Sequence, residues 1–390
     1  MFFNKNNPKI RVLGVMTGNS CDGLDACLME FTGPKWKSLW SKSICYPKLL
    51  KNRVLSFQDP DQLITVSEYL HLNRDLGKWY GQSLTKMISN SKQKPDVISN
   101  HGQTVCHLPM KKKNGTTLQL GDPSHIAHLT KKTVISHHRY GDLSAGGDGA
   151  PLAPQFHYYL AKKLFSHSNS LKGVAFLNIG GISNITYFKN NQSILAFDIG
   201  PGNIWIDEST YRFTKKKQAY DRGGKLASQG KIDQQTITKL LRHPFIKKTG
   251  VKSTSRDDFP FSYFLKKTNS RGKNQIATAT EFTATCISHS LKKINTQSLI
   301  KTVVVCGGGA KNSFLIQRLK ELNPNITIER IQKYQLDSQI IEAQAFALLG
   351  YLSLKGMSLG GSWTGVSSFA PPGWITPGEN WSEVLKKISP

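Results

Sequence analysis

The residue whose type and position best suit a catalytic base is Asp198. It follows the apolar run 194–197, which is typical of a strand, and it precedes the loop 199–203, which contains Gly200 and Gly202. A carboxylate at the carboxyl end of a strand, beside a flexible loop, can take a proton from a ligand or a water molecule. The same residues also suit an ordinary hairpin whose aspartate caps a turn, and this stretch alone favours the hairpin.

A second candidate site lies near the N-terminus, where residues 16–24 separate the predicted strands 10–15 and 25–31. This stretch predicts a hairpin tip rich in Gly, Ser, Thr and Asn, with Asp22 and Asp25 beside it. Successive backbone N–H groups and hydroxyls in such a tip can cradle an anion. A tight β-turn with this composition needs no anion, so the motif alone leaves both interpretations open.

Two further glycine turns could approach a ligand with bare backbone. Gly180-Gly181 lies between the predicted strands 174–178 and 182–188. The run 307–309 consists of three glycines between the apolar strand 303–305 and a predicted helix at 313–322. A strand, a glycine turn and a helix N-terminus in this order favour a bound nucleotide.

Polar residues also follow the predicted strand 95–99, where His101 and Gln103 flank Gly102. A histidine in a turn usually has only local hydrogen bonds, but its position among other polar strand ends favours a role in ligand binding. The glycine-rich run 145–152 could be a hinge, a substrate loop or both.

The elements that must position these residues predict an α/β protein with two domains. Further strands are predicted at 118–120 and 133–136, and helices at 126–129, 154–164, 204–213, 232–241, 277–294 and 337–352. Apolar residues between positions 56 and 91 recur at helical spacing and predict one or two amphipathic helices. We expect an N-terminal domain at 1–140 and a C-terminal domain at 141–390, and the last helices could pack back on the first domain.

Composition restricts the class of protein. The net charge of +27 raises the hypothesis of nucleic-acid binding, but the lysines come in short runs over the whole length and no segment combines them with regularly spaced aromatics. We interpret them as a solvated surface that also attracts an anionic substrate, and we expect neither a nucleic-acid partner nor a membrane span. The six cysteines form no CxxC pair, and the N-terminus has no apolar core of signal-peptide length. A cytoplasmic protein without structural zinc is therefore expected.

Taken together, the motifs resemble those of the anhydro-N-acetylmuramic acid kinases, which belong to the hexokinase–actin superfamily. The resemblance covers nearly the whole chain. It is carried in order by MTGNSCDGLDA (16–26), SNHGQTV (99–105), LGDP (120–123), AGGDGAPLAPQFH (145–157), LNIGGISNIT (177–186), FDIGPGN (197–203), KSTSRD (252–257), VCGGGAKN (305–312) and EAQAFA (342–347).

The resemblance implies a fold of two ribonuclease H-like α/β domains with an interdomain cleft. It implies ATP and Mg²⁺ as cofactors, an amino sugar as the small-molecule substrate, and a homodimer as one option. The implied reaction opens the 1,6-anhydro bridge of anhydro-N-acetylmuramic acid with water and phosphorylates O6. The product, N-acetylmuramic acid 6-phosphate, is an intermediate of peptidoglycan recycling.

The resemblance also implies roles for particular residues. Asp198 would be the general base, and the sugar pocket would contain His101, Gln103, Arg139 and Glu342. No residue is assigned to Mg²⁺. The residues implied for ATP are Gly18, Asn19, Ser20, Cys21, Asp22, Gly23, Leu24, Asp25, Gly180, Gly181, Gly307, Gly308 and Gly309.

The chain departs from the family pattern at several positions. Asn19 and Ile199 each stand where the family usually has Thr, and Asp148 stands where Gln is common. Around Arg139 the family pattern Asp-Phe-Arg-Arg-Arg-Asp becomes His-His-Arg-Tyr-Gly-Asp at 137–142. The departure around Arg139 concerns the edge of the implied sugar pocket and leaves Asp198 unchanged.

Three alternative functions remain. A kinase of the same superfamily could act on another sugar. A ribonuclease H-like nuclease could use Asp22, Asp25 and Asp198 to bind two metal ions, but it would have no need for the glycine run 305–312. A non-catalytic ATP-driven clamp would have no need for Asp198.

Overall fold

The computed structural model describes residues 8–18, 21–59, 62–108, 115–165, 171–190, 193–248, 250, 252–254, 256–297, 299–338 and 340–389. The chain forms two compact units. The first comprises Met1–Phe156 together with Ile340–Pro390, and the second comprises His157–Gln339. The division therefore falls later than the boundary expected after residue 140, and residues 340–390 belong to the first unit.

The elements of the first unit alternate between strands and helices. Its strands are β1 (Ile10–Thr17), β2 (Gly23–Thr32), β3 (Lys35–Cys45), β4 (Val97–Asn100), β5 (Gln103–Leu108), β6 (Thr116–Leu120) and β7 (Thr133–Ser136). Its helices are α1 (Lys48–Phe57), α2 (Val66–Ser89), α3 (Pro123–Thr130) and α4 (Tyr140–Ser144), and the division of the chain falls within α5 (Ala153–Leu164).

The second unit contains the strands β8 (Val174–Ile179), β9 (Ile182–Phe188), β10 (Ile194–Pro201), β11 (Thr302–Cys306) and β12 (Thr327–Arg330). Its helices are α6 (Ile204–Phe213), α7 (Gln234–Leu240), α8 (Pro244–Lys247), α9 (Phe261–Lys267), α10 (Gly272–Ile294) and α11 (Ser313–Leu322). The chain then returns to the first unit with α12 (Ile341–Leu354), β13 (Trp374–Thr376) and α13 (Trp381–Ile388).

The main sheets of the two units share a strand order. The first sheet runs β13-β7-β4-β1-β2-β3 and the second runs β10-β9-β8-β11-β12. In each, three consecutive antiparallel strands are followed by two strands parallel to the first of them, namely β4 and β7 in one unit and β11 and β12 in the other. When the strands are numbered in chain order within each sheet, both sheets therefore contain the order 3-2-1-4-5.

Each unit has its own apolar core because both faces of its central strands are covered. In the first unit α2 and α3 cover one side, where Leu13, Leu76 and Ile98 are fully buried. In the second unit α6 and α10 pack together over the sheet, and the fully buried residues include Leu177, Phe282 and Val303. Burial on both faces explains why β8 and β11 contain continuous apolar runs rather than alternating patterns.

Several helix ends follow from local side chains. Thr65 and Glu68 form a reciprocal capping box that begins α2. The Asp122 side chain accepts a hydrogen bond from Ser124 N (2.8 Å), and Pro123 occupies the first turn of α3. Asn312 caps α11 by accepting from Leu315 N (3.0 Å).

The structure confirms most predicted elements, and it also contains elements that were not predicted, including α1, β5, α9, β12 and α13. The helices at 204–213 and 313–322 occur as predicted. Strand β3 was not predicted, because its lysines and serines interrupt the apolar pattern of an edge strand. The last predicted helix begins at Ile341 rather than at 337. Asp198 does not end its strand, since β10 continues to Pro201 with an irregularity between Asp198 and Gly200.

Candidate active site

The tip of the β1–β2 hairpin is held mainly by backbone contacts. Cys21 N donates to Gly18 O (3.1 Å), and Cys21 adopts a left-handed backbone conformation with φ of 52°. The Cys21 and Leu24 side chains are fully buried in the core, so these two residues can offer a ligand only their backbone. The exposed Asp22 carboxylate pairs with Lys51 Nζ at 3.0 Å. Asn19 and Ser20, which were predicted to bind ATP, lie outside the described residues.

Gln103 connects this hairpin to the start of β5. Its side chain is fully buried, and its Oε1 accepts a hydrogen bond from Tyr46 Oη at 2.8 Å. Its Nε2 donates to Gly18 O (3.3 Å) and to Thr104 O (3.2 Å). The amide is thus used within the protein, and Gln103 holds Gly18 in position.

Three hydroxyl groups extend this contact into a buried network. Tyr80 Oη lies 3.0 Å from Tyr46 Oη and 3.2 Å from Thr17 Oγ1, and Thr17 Oγ1 donates to Gly102 O (3.1 Å). Burial raises the pKa values of Tyr46 and Tyr80 far above that of a free tyrosine, so both phenols stay protonated. The network therefore connects the two turns of the first unit that are candidates for ligand binding, at Gly18 and at Gly102.

Arg139 brings together two segments that are separate in the sequence. Its Nε and Nη2 donate to His101 Nε2 at 3.2 and 2.9 Å, and its Nη1 donates to Gly149 O at 2.9 Å. Asp142 holds the same loop by accepting from Gly149 N (2.7 Å). The glycine-rich run 145–151 is thus tied to the turn after β4 through Arg139.

This arrangement determines the protonation state of His101. Burial, with a further contribution from the Arg139 charge, holds the pKa of His101 well below its usual value, so the ring is neutral. Because Nε2 accepts from Arg139, the single ring proton is on Nδ1. Nδ1 is buried, and no described residue makes a hydrogen bond of ordinary geometry to it, although the nearby Gly102 backbone acts to raise the pKa of the ring against the larger effect of burial. His101 can therefore offer a neutral N–H donor.

Glu342 and Asp25 are two carboxylates of the first unit with different surroundings. Glu342 lies in the first turn of α12 and is exposed, and it interacts electrostatically with Asp25 and Arg139. Asp25 accepts a hydrogen bond from Ser43 Oγ on β3. Glu342, Arg139 and His101 therefore lie in one neighbourhood, and their role in binding a sugar stays a prediction.

In the second unit, one loop holds the Asp198 carboxylate. Thr254 N and Ser253 Oγ donate to Asp198 Oδ2 at 2.9 and 3.3 Å, and Asp198 N donates to Lys252 O at 2.8 Å. The Lys252 Nζ donates to Phe245 O (3.0 Å) and anchors the loop. These contacts fix the orientation of the Asp198 carboxylate, as a general base requires.

Asn203, which sequence reasoning did not single out, joins the two glycine turns of the second unit. Its N donates to Gly180 O (2.8 Å) and its Nδ2 donates to Ile179 O (3.1 Å). A methyl group on Gly308 would lie 3.7 Å from Asn203 Nδ2, and one on Gly309 would lie 3.1 Å from Asn203 Oδ1. The predicted turns at 180–181 and 307–309 are therefore neighbours.

The glycines of these turns are present for different reasons. Gly307 has a φ of 79°, and a methyl group there would lie 2.4 Å from Asn178 Oδ1. A methyl group on Gly309 would lie 2.4 Å from Ile179 Cγ2. By contrast, methyl groups on Gly180 and Gly308 would meet nothing closer than 3.5 and 3.7 Å, and neither residue has a positive φ. The fold requires glycine at 307 and 309 but not at 180 or 308.

Two kinds of residue could not be recognised from the sequence. Tyr46 and Tyr80 resemble ordinary core aromatics in the sequence, and only their hydroxyl contacts distinguish them. Asn203 and residues 252–254 lie inside the motifs FDIGPGN and KSTSRD. The motifs therefore pointed to these residues but did not indicate what each of them does.

No group of three or more His, Cys, Asp or Glu residues that could hold a metal ion occurs in the part of the chain that the structure describes. Within the same residues, no helix is long and apolar enough to cross a membrane.

Comparison with known proteins agrees with the motif pattern. The model of the anhydro-N-acetylmuramic acid kinase family matches residues 10–378. A relative from Caldanaerobacter subterraneus subsp. tengcongensis named anhydro-N-acetylmuramic acid kinase is 33% identical over 90% of this chain and 92% of its own. One of the same name from a Shewanella species is 35% identical over 87% of this chain and 91% of its own.

Among solved structures, a ROK hexokinase from Thermus thermophilus covers 87% of this chain and 98% of its own, with 10% identity and a TM-score of 0.37. A structural similarity this weak supports no inference about this chain. The sequence matches, by contrast, extend over nearly the whole chain. The chain belongs to the anhydro-N-acetylmuramic acid kinase family.

Proposed function

We propose that this protein is an ATP-dependent kinase that opens 1,6-anhydro-N-acetylmuramic acid with water and phosphorylates O6, giving N-acetylmuramic acid 6-phosphate for peptidoglycan recycling. Family membership supports this class of enzyme. The structural observation that carries the proposal is the grouping, in the second unit, of the Asp198 carboxylate and two glycine turns.

In this proposal each unit is a ribonuclease H-like domain of the hexokinase–actin superfamily, and the reaction draws on residues of both. The shared strand order 3-2-1-4-5 supports it. Two units with one topology are expected where each contributes a hairpin turn to nucleotide binding, here the β1–β2 tip and the Gly180–Gly181 turn.

The nucleotide accounts for glycines that the fold does not need. Alanine would fit at Gly180 and Gly308 without a clash inside the protein, so their lack of a side chain calls for another explanation. A phosphate or a ribose lying directly on the backbone would supply one. We therefore place the phosphates at the Gly180–Gly181 turn, with the β1–β2 tip as the second cradle, and adenosine at Gly307–Gly309.

Asp198 acts as the general base in the proposed mechanism. It takes a proton from the water that attacks the anomeric carbon while the bond from that carbon to the bridging oxygen breaks. The departing O6 then attacks the γ-phosphorus of ATP, and the bond between γ-phosphorus and the β–γ bridging oxygen breaks with its electron pair going to ADP. The hydrogen bonds from Ser253 and Thr254 fix the orientation of the carboxylate.

Mg²⁺ would enter with ATP and neutralise charge on the phosphate oxygens. An ion held mainly by phosphates and water needs only one or two protein carboxylates, which fits a chain whose described residues contain no dedicated metal cluster.

The sugar would bind in the first unit. His101 would donate its Nδ1 proton to a sugar oxygen, and the exposed Glu342 carboxylate would accept from a hydroxyl group. Arg139 and Gln103 would act mainly by holding His101 and Gly18 in place, since their side chains already make two or more internal hydrogen bonds each.

The proposal is tested with purified protein, ATP, Mg²⁺ and anhydro-N-acetylmuramic acid in ¹⁸O-water, followed by mass spectrometry. We expect a phosphorylated product with ¹⁸O at the anomeric carbon. Asp198→Asn should reduce product formation by about 10²–10⁴-fold while ATP affinity is kept, because the variant keeps the shape but cannot accept a proton. A variant that phosphorylates at the wild-type rate would remove Asp198 from the mechanism.

The same assay separates the alternatives. Phosphorylation of a different sugar but not of the anhydro sugar would indicate another kinase of the superfamily. ATP binding without multiple turnover of ADP would indicate a clamp, and cleavage of nucleic acid without ATP binding would indicate a nuclease.

A further inference from the structure

Arg256 is an exposed arginine on the loop that holds Asp198. Its guanidinium group lies against the Gly180–Gly181 turn, since a methyl group on Gly181 would be 3.0 Å from Nη2 and 3.1 Å from Nε. The guanidinium group therefore covers the bare backbone at which the proposed function places the ATP phosphates.

The backbone around Arg256 is anchored on both sides. Before it, Thr254 N bonds the Asp198 carboxylate (2.9 Å). After it, Phe259 N donates to Arg256 O (3.0 Å), and Phe259 O accepts from the buried Trp205 Nε1 (2.9 Å). A single short loop thus orients the candidate base and presents a guanidinium group to the neighbouring turn.

The charge of Arg256 is incompletely balanced. Among the described residues it donates no hydrogen bond and has no carboxylate partner within salt-bridge distance of 4.0 Å. Its electrostatic partner is the half-buried Asp207 on α6, whose pKa is raised to about 7 by burial and by Asp221, against the opposing effect of Arg256. A partly protonated carboxylate neutralises a guanidinium group only in part, so an anion bound at the turn would be attracted to Arg256.

We propose that Arg256 is a further catalytic residue, which binds the phosphoryl group during its transfer at the Gly180–Gly181 turn. This inference rests on the proposed kinase function. As the γ-phosphorus leaves the bridging oxygen of ADP and bonds to O6 of the sugar, negative charge develops on its surrounding oxygens. The planar guanidinium fork donates two hydrogen bonds to those oxygens and neither gains nor loses a proton.

The test compares Arg256→Met with the wild type and with Arg242→Met, which removes another exposed arginine of the same unit. An arginine that stabilises a transferring phosphoryl group contributes about 10³–10⁵-fold to kcat, and we expect a loss of about 10³-fold for Arg256→Met with ATP Kd raised by less than about tenfold. Arg256→Lys should recover only part of the rate, because it keeps the charge but not the fork. Added guanidinium ion should partly rescue Arg256→Met, which a purely structural role would not allow.

A second measurement distinguishes failure of this inference from failure of the proposed function. The complex of ADP with aluminium fluoride mimics the transferring phosphoryl group without needing the sugar, and Arg256→Met should bind it much more weakly than wild type while binding ADP equally. If the wild type phosphorylates the sugar and Arg256→Met keeps kcat within about threefold, the inference is wrong and the kinase function stands. If the wild type does not phosphorylate the sugar but Arg256→Met still loses affinity for the aluminium fluoride complex, Arg256 keeps its role and the sugar assignment is wrong.

Discussion

Removing the Tyr46 hydroxyl should destabilise the protein more than removing the Tyr80 hydroxyl. The reason is a count of hydrogens in the buried network. Thr17 uses its hydrogen on Gly102 O and Tyr46 uses its hydrogen on Gln103 Oε1, since neither acceptor carries one. Tyr80 has one hydrogen for two neighbouring oxygens, so one of its two contacts has no hydrogen between the oxygens.

The magnitudes follow from what each variant leaves behind. Tyr46→Phe removes the donor to Gln103 Oε1 and strands a fully buried acceptor, which costs about 1–3 kcal/mol. Tyr80→Phe removes one donated hydrogen bond, but Thr17 and Tyr46 keep their own acceptors, so the loss is about 0.5–1.5 kcal/mol. Neither change creates a cavity, because only an oxygen atom is removed.

The assay is urea unfolding of the wild type, both single variants and the double variant, read by circular dichroism and by tyrosine and tryptophan fluorescence. A double-mutant cycle gives the coupling between the two phenols, which should be clearly nonzero because they are 3.0 Å apart. Tyr69→Phe, which removes a hydroxyl group outside the network, is the matched control. If Tyr80→Phe destabilises the protein as much as Tyr46→Phe or more, the assignment of hydrogens in this network is wrong.

Three further predictions concern the site. Gly308→Ala should weaken ATP binding and leave the melting temperature unchanged. Gly309→Ala should weaken ATP binding and also lower the melting temperature, because its methyl group would clash in the core. Equal melting temperatures of the two variants would contradict this explanation. Arg139→Ala should raise KM for the sugar much more than KM for ATP, because it releases His101 from its fixed tautomer, and equal effects on both would place this loop outside the sugar site. Burial raises the pKa of Asp207 from its ordinary value of 3.8 to about 7 in the folded protein, so its ionisation opposes folding. The melting temperature of Asp207→Asn relative to wild type should therefore rise between about pH 4 and pH 7 and then level off, and a difference that does not depend on pH would refute this.

The sequence alone determined the class of fold and the family. Alternating strands and helices with glycine turns predict an α/β protein, and the predicted helices at 204–213 and 313–322 occur as expected. These features could be predicted because hydrophobic periodicity, capping residues and glycine turns are local, and each leaves its pattern within a few neighbouring positions. The ordered motifs likewise indicated the family that the comparisons then showed.

Only the tertiary structure decided how the candidate site is held. The bonds from Tyr46 to Gln103, from Arg139 to His101 and from Thr254 to Asp198 each join residues far apart in the chain. Such contacts have no periodic signature, because a side chain that donates across the fold looks the same in the sequence as one that faces solvent. The glycines make the same point: Gly308 and Gly309 are identical neighbours in the sequence, and only the atoms packed around them show that the fold needs one and not the other.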